Sequence, residues 1–197
     1  MLVVGGGPAG AQAALSSAER GHRVTLLERG ERLGGQLDAA RRLAELRSWG
    51  DLVDDLERAL ARHGVEVRLR TEASVASVHA ARADAVLIAT GARHERSGRG
   101  AASLVTDAVP GLDAAHVLDV REAALDPERC GARVVLLDDF AGLASMALAL
   151  ALAQRGRTVT LATRQPMAGF GVLATGDAPW VYPRMLAAGV TVLTQPS

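Results

Sequence analysis

A glycine pattern near the start of this 197-residue chain constrains its fold most. Gly5-x-Gly7-x-x-Gly10 directly follows the apolar run Leu2–Val4 and opens an alanine-rich stretch. In such a pattern Gly5 permits a tight turn after a strand, and Gly7 lets a pyrophosphate approach the main chain. Gly10 lets the following helix pack closely against the strand. We therefore predict a strand, a phosphate-binding loop and a helix that ends at Arg20, with Gly21 as its C-terminal cap.

A carboxylate completes this dinucleotide fingerprint. His22–Glu28 reads as the second strand, and Glu28 stands 18 residues beyond Gly10. An acidic side chain at the end of this strand accepts hydrogen bonds from ribose hydroxyls and repels a 2′-phosphate. The strand–helix–strand unit has the expected length of about 30 residues. The alternative is a structural loop with a surface glutamate.

The alternation of apolar strands and helices continues along the chain. We predict a helix over Asp51–His63, with Leu52 and His63 on its apolar face, and strands over Val65–Leu69 and Asp84–Ala89. AERGHRVTLLER at residues 18–29 matches AQRGRTVTLATR at residues 153–164, which is an internal repeat.

The repeat predicts an α/β chain with two Rossmann-like three-layer units in series. We expect a first unit over residues 1–95, a linker rich in Gly, Ser and Arg over 96–112, and a second unit over 113–197. In the second unit, Arg133–Leu137 and Thr158–Ala162 read as strands joined by a long apolar helix that runs to Arg155 and is capped by Gly156.

The combination GGGPAG…LLERGERLGGQL…DAVLIATGA resembles the two-dinucleotide-binding flavoproteins, the FAD/NAD(P)-linked reductases. The resemblance implies that the first unit holds the ADP half of FAD, that the GGQ stretch passes near the rest of the cofactor, and that the ATG turn flanks the crossover. The implied cofactor-binding residues are Gly5, Gly7, Pro8, Ala9, Gly10, Glu28, Arg29, Gly34, Gly35, Gln36, Thr90 and Gly91.

A narrower resemblance lies in the stretches ATGARHERSGRG…VPGLD and RVVLLDDFAGLAS. They are similar to the C-terminal region of the trimethylamine, dimethylamine and histamine dehydrogenase group, relatives of the 2,4-dienoyl-CoA reductases and old yellow enzymes. This resemblance implies an N-terminal barrel with FMN and a [4Fe–4S] cluster, supplied in cis or by a partner subunit. It also implies FAD or ADP alone in the nucleotide folds, a first fold incomplete at its C-terminal end, and a possible homo-oligomer.

The second unit departs from the fingerprint. When the helix-capping glycines are aligned, Gly5, Gly7 and Gly10 correspond to Phe140, Gly142 and Ser145. No alignment restores three glycines.

The charged residues of the second unit also disfavour nucleotide binding, with one exception. Asp138 and Asp139 bring negative charge to the place of a pyrophosphate, and Thr163 replaces the acidic residue. Only Arg164, which suits a 2′-phosphate, favours NADP. The residues therefore favour a retained scaffold over a working NAD(P) site.

Composition excludes several classes of function. The formal net charge is zero and the basic residues are scattered, which predicts neither nucleic-acid nor membrane-surface binding. Cys130 is the single cysteine, so an internal disulfide or an all-cysteine cluster is excluded. The apolar stretch Leu143–Ala153 is shorter than the roughly 20 residues that span a bilayer. No signal-peptide pattern opens the chain, and we expect a reducing cytoplasm.

No acid–base pair or metal site emerges from the sequence, so we assign no catalytic residue. The leading hypothesis is an FAD- or ADP-binding module of a larger flavin-dependent oxidoreductase whose catalytic FMN barrel is absent from these residues. A stand-alone NAD(P)H-dependent FAD reductase and a non-catalytic nucleotide-binding scaffold remain as alternatives.

Overall fold

The computed structural model describes residues 1–93 and 109–195. The chain divides into two compact units. The first comprises Met1–Arg41 and Arg47–Arg93, and the second comprises Arg42–Leu46 and the residues after Arg93. Most of the linker predicted over 96–112 therefore lies outside the described residues, and its bounds stay a prediction.

The first unit alternates strands and helices. In chain order these are β1 (Leu2–Val4), α1 (Pro8–Glu19), β2 (Thr25–Leu27), α2 (Gln36–Ala40), α3 (Ser48–Arg62), β3 (Glu66–Arg68), α4 (Val75–Ala80) and β4 (Val86–Ile88). All pairings in the sheet are parallel, in the order β3-β2-β1-β4. Among the described strands β4 pairs with β1 alone, so its other edge is free, and Ile88 is 65% exposed.

Both faces of this sheet carry packed side chains. Val3 and Leu26 are fully buried on one face, together with Ala14 of α1 and Leu60 of α3. Leu2, Val4 and Leu27 alternate onto the other face, where Val78 of α4 packs against them. Short, apolar, parallel strands are typical of a sheet covered on both sides.

The helix α3 differs from its prediction at the start. It begins at Ser48 rather than Asp51. Val53, Leu56 and Leu60 are buried, but Leu52 is 40% exposed and His63 is exposed. The prediction that these last two residues complete the apolar face is therefore wrong; the buried stripe is narrower than the periodic pattern suggests.

The second unit also has parallel strands. Its elements are α5 (Val120–Leu125), β5 (Arg133–Leu137), α6 (Leu143–Gln154), β6 (Thr158–Thr163), α7 (Ala178–Ala187) and β7 (Thr191–Thr194). Short 3₁₀ turns lie at Ala44–Leu46, Pro127–Arg129 and Phe170–Val172. The sheet order is β5-β6-β7.

The helix α6 is the centre of this unit. All eight residues from 145 to 152 are buried, because β6, α5, α7 and the turn at Ala44–Leu46 surround the helix. A helix that is apolar all round requires such burial. The opposite face of the sheet stays exposed within the described residues, with Val135 at 65%, Leu137 at 61% and Leu193 at 48%.

No helix of the described residues is both long and apolar enough to cross a membrane. The same residues contain no group of three or more His, Cys, Asp or Glu side chains that could hold a metal ion.

Candidate dinucleotide-binding site

The loop between β1 and α1 needs glycine at two positions for steric reasons. Gly5 has φ +106°, and a Cβ there would lie 2.3 Å from the carbonyl oxygen of Ala89. A Cβ on Gly10 would lie 1.9 Å from the carbonyl oxygen of Gly5. These glycines let β1, β4 and α1 approach closely, as the fingerprint predicts.

The third glycine faces open space. A Cβ on Gly7 would meet no atom of the described residues within 4 Å. Gly7 is the N-cap of α1 and Pro8 is its first residue, and both Pro8 and Ala9 are exposed. An α-helix leaves the amides of its first turn without main-chain acceptors, and the helix dipole places positive charge there. The open space over Gly7 therefore suits a diphosphate.

Glu28 lies at the end of β2 and accepts hydrogen bonds from two main-chain amides. Its Oε2 accepts a hydrogen bond from the Gly6 N–H at 2.6 Å, and its Oε1 accepts one from the Gly30 N–H at 2.6 Å. The carboxylate is half-buried. Because a carboxylate offers about four acceptor sites, it retains capacity for ribose hydroxyls while the amides fix its position.

The GGQ stretch folds against the same loop. The Gly34 N–H donates to the carbonyl oxygen of Gly6 at 2.9 Å. A Cβ on Gly35 would lie 3.1 Å from the Cα of Gly7. Gln36 opens α2, and its Nε2 donates to the carbonyl oxygen of Ala92 at 3.3 Å. Three segments distant in sequence thus meet above the carboxyl end of β1.

The ATG turn lies at the end of β4. The Cα of Thr90 is 3.1 Å from the position of a Cβ on Gly5, which places this turn beside the fingerprint loop. Gly91 adopts φ +77° next to the carbonyl that Gln36 contacts. Arg29 is exposed on the turn after β2. In an open parallel sheet, ligands bind outside the carboxyl ends of strands where the strand order reverses, and these residues lie there.

Sequence reasoning missed two members of this site, Gly6 and Gly30. Gly6 donates to Glu28, and a Cβ on it would lie 2.4 Å from Cδ2 of Leu33. Gly30 donates the second amide to the carboxylate. The run of three glycines at residues 5–7 is the signal that could have found Gly6. Nothing in the sequence indicates that Glu28 binds main chain.

The residues present fit the ADP portion of a flavin dinucleotide. They offer exposed helix-start amides, a cradle that a side chain at residue 7 would fill, and a fixed carboxylate on the adjoining strand. Residues 1–89 match the family model described as FAD dependent oxidoreductase. The first unit is therefore similar to the FAD-dependent oxidoreductases, and the predicted Rossmann-like fold and FAD cofactor are confirmed.

The curated relatives include, by name, dehydrogenases of methylated amines and several reductases. The chain is 33% identical to N,N-dimethylglycine/sarcosine dehydrogenase of Chromohalobacter salexigens over 89% of its own length and 25% of the relative. It is 31% identical to dimethylamine dehydrogenase of a Hyphomicrobium species, over 83% and 23%. The chain thus spans about a quarter of the length of these curated relatives.

Solved structures agree with the sequence relatives. The 6-hydroxypseudooxynicotine amine oxidase of Pseudomonas geniculata N1 matches with a TM-score of 0.90 and 30% identity, over 98% of this chain and 29% of that chain. Histamine dehydrogenase from Rhizobium sp. 4-9 matches with a TM-score of 0.85 and 25% identity, over 98% and 30%. The predicted resemblance to the amine dehydrogenase group is confirmed.

Proposed function

We propose that the first unit holds the ADP portion of FAD, or ADP itself, at the fingerprint loop. The diphosphate lies against the amides at the start of α1, over Gly7. The ribose hydroxyls donate to the free acceptor sites of Glu28. The observation that carries the proposal is that open space over Gly7 lies beside a carboxylate already fixed by two amides.

When FAD is bound, its isoalloxazine ring supplies hydride and electron transfer, and the protein supplies placement and electrostatics. This chain's residues bind the adenosine end and orient the rest of the molecule past the GGQ stretch. The Gln36 side chain joins the start of α2 to the turn after β4 by a hydrogen bond. This bond fixes one side of the route that we propose for the rest of the cofactor. We assign no catalytic residue.

For the whole protein, we propose an oxidoreductase in which this region accompanies a flavin barrel with FMN and a [4Fe–4S] cluster, in cis or on a partner subunit. Support comes from the names and lengths of the relatives, of which this chain spans about a quarter. The exposed Ile88 on the free edge of the first sheet is consistent with further protein there. We further propose the cytoplasm as its compartment, which the single cysteine supports.

Calorimetric titration with ADP and with FAD tests the nucleotide site. Gly7→Val adds a side chain into the space assigned to the diphosphate, so we expect ADP affinity to fall at least about a hundredfold, or roughly 2.8 kcal/mol. A valine N-cap costs helix stability of about 1 kcal/mol, so the fold persists. Retention of FAD absorbance after purification separates an FAD site from an ADP scaffold.

Gly131→Val is the matched control. Gly131 lies in the second unit, and among the atoms of residues 1–93 and 109–195 a Cβ there would approach only the carbonyl oxygen of Arg133 within 4 Å, at 3.8 Å. We expect this variant to bind ADP like the parent. Equal ADP binding by the Gly7→Val variant would show that the diphosphate lies elsewhere.

A further inference from the structure

The loop between β5 and α6 is the second unit's counterpart of the fingerprint loop. Gly5 is the first residue after β1, and its N–H donates to Leu27 at 2.8 Å. Asp138 is the first residue after β5, and its N–H donates to Ala162 at 2.8 Å. On the strand side, Asp138 therefore occupies the place of Gly5, which corrects the alignment of that glycine with Phe140.

The second loop is two residues longer than the first. Two residues separate β1 from the N-cap Gly7, whereas four residues, 138–141, separate β5 from the N-cap Gly142. The helix and the second strand keep one register between the units, so the whole difference lies in this loop. Across this longer loop, the side chain of Asp138 reaches the main-chain N–H of Ala141.

A carboxylate fills the space that this longer loop encloses. Asp138 is 7% exposed, and its Oδ1 accepts a hydrogen bond from the Ala141 N–H at 2.9 Å. Its Oδ2 is buried and accepts no aligned hydrogen bond within the described parts of the chain. Interactions of the carboxyl with the Ser145 hydroxyl and with the Phe140 and Gly142 amides partly oppose the rise in its pKa that burial causes. Ala141 is fully buried with φ +47°, so the turn that brings its amide to Asp138 is tight.

Two further positions lack what the first unit uses for a nucleotide. Ser145 stands where Gly10 permits close helix–strand contact, and its hydroxyl donates to the carbonyl oxygen of Gly142 at 3.0 Å. Thr163 stands where Glu28 stands and is 1% exposed. Its Oγ1 accepts from the Gln165 N–H, as Glu28 accepts from Gly30.

We propose that the Asp138 carboxylate is a built-in anion that occupies the phosphate position at the start of α6 and closes the second unit to dinucleotides. Its oxygens fill the space and take the loop amide that a phosphate would need. A phosphate brought to this position would also be repelled by the like charge of the carboxylate. The proposal is independent of nucleotide binding in the first unit.

Amide NMR during titration with inorganic pyrophosphate and with NADP⁺ tests this directly. NADP⁺ is included because Arg164 follows Thr163. In the parent chain we expect no saturable shift of the Ala141, Gly142 and Leu143 amides. In Asp138→Ala we expect these amides to shift saturably with pyrophosphate, with at least tenfold tighter binding than in the parent. The amides of Gly6, Gly7 and Ala9 report the first unit separately.

Asp139→Ala is the matched control, because it removes the same formal charge from the neighbouring, less buried residue. We expect it to behave like the parent. If Asp138→Ala does not unfold cooperatively, Asp138→Ser repeats the test. Serine is smaller than aspartate and uncharged, and its hydroxyl can still accept a hydrogen bond from the loop. Saturable binding at residues 141–143 in the parent, or equal responses of the position-138 and position-139 variants, would overturn the proposal.

Discussion

Glu28 shows how one side chain serves the fold and the site together. Its two 2.6 Å hydrogen bonds join the fingerprint loop to the turn after β2. Hydrogen bonds to a charged group contribute more than neutral ones, at about 1.5–3 kcal/mol each. The residue that we assign to ribose therefore also maintains the shape of the loop that takes the phosphates.

Glu28→Gln tests this double contribution. The amide NH₂ cannot accept from a main-chain N–H, so one hydrogen bond is lost and we expect a destabilisation of about 2 kcal/mol in urea unfolding. ADP affinity should fall about tenfold, and affinity for inorganic pyrophosphate should fall less, because pyrophosphate has no ribose. Glu31→Gln, at an exposed carboxylate, is the control. An equal loss for both ligands would contradict the ribose contact.

Asp138 gives the second unit a pH-dependent stability. Burial raises the pKa of its carboxyl above the ordinary value of 3.8. The folded chain then holds this proton more tightly than the unfolded chain. The stabilising contribution is fully present below the unfolded pKa and is lost as pH rises through the raised folded pKa.

Asp138→Asn removes this titration. As pH falls from 7 towards 4, we expect the parent to gain stability relative to the variant, by about 1.4 kcal/mol for each unit between the folded and unfolded pKa. Urea unfolding across that range measures the difference, and Asp139→Asn controls for general charge effects. A difference that is flat with pH would show that the Asp138 carboxyl titrates as it does in the unfolded chain.

At the level of elements, the strongly periodic and apolar segments follow from the sequence. β1 and β5 have their predicted bounds, and α6 ends one residue before its predicted end at Arg155. β2 is shorter than the predicted His22–Glu28, because only Thr25–Leu27 pairs with its neighbours.

The short helices could not be predicted from periodicity. α2, α4 and α5 have five or six residues, too few for an apolar period to repeat. Capping boxes mark the starts of α4 at Ser74 and of α5 at Asp119, and these were the available sequence signals. α7 contains Pro183, which argues against a helix unless packing outweighs it.

The sequence likewise predicts some features of the site and not others. The glycines and Glu28 could be located because their residue types answer fixed steric and electrostatic needs. Their joint contacts could not be predicted, because the hydrogen bonds from Gly6 and Gly30 depend on loop conformation rather than on side-chain identity. The two-residue lengthening before α6 was hidden because it shows only when the strand pairings are known.

The turn at Ala44–Leu46 supplies an ion pair to the second unit. Glu45 Oε1 lies 2.9 Å from Arg184 Nη2 on α7, and the Glu45 side chain is only 4% exposed whereas that of Arg184 is 56% exposed. The approach is not aligned as a hydrogen bond. Removing Arg184 would leave a buried carboxylate without its counter-charge.

We therefore expect Arg184→Ala to destabilise the second unit by about 1–3 kcal/mol, between the values for exposed and fully buried pairs. Adding Glu45→Gln should restore part of the loss, because the buried charge is then absent. Arg58→Ala, which breaks an ion pair with both side chains exposed, should cost under about 1 kcal/mol. Chemical unfolding of the four chains measures these differences. A double variant less stable than Arg184→Ala would contradict this account.

At the level of the whole molecule, both units have a loop that joins a strand to a helix. The two loops differ in what lies at the start of that helix. In the first unit the loop leaves open space over Gly7, and in the second a carboxylate fills it. Each unit contains its own set of buried apolar side chains. Ligand binding should therefore stabilise one unit and leave the other unchanged.

Calorimetric unfolding with ADP tests this asymmetry. A ligand at a hundred times its Kd stabilises the binding unit by about 2.7 kcal/mol. For a unit of about 90 residues this corresponds to a shift on the order of 10 °C in its transition. Hydrogen exchange assigns the shift, because Leu26 and Leu60 report the first core while Leu148 and Leu161 report the second. We expect added protection only in the first pair.

Equal protection in both pairs would mean either that the units unfold together or that the second unit binds ADP. The Asp138→Ala chain separates these, because only joint unfolding leaves the response of Leu148 unchanged by that substitution.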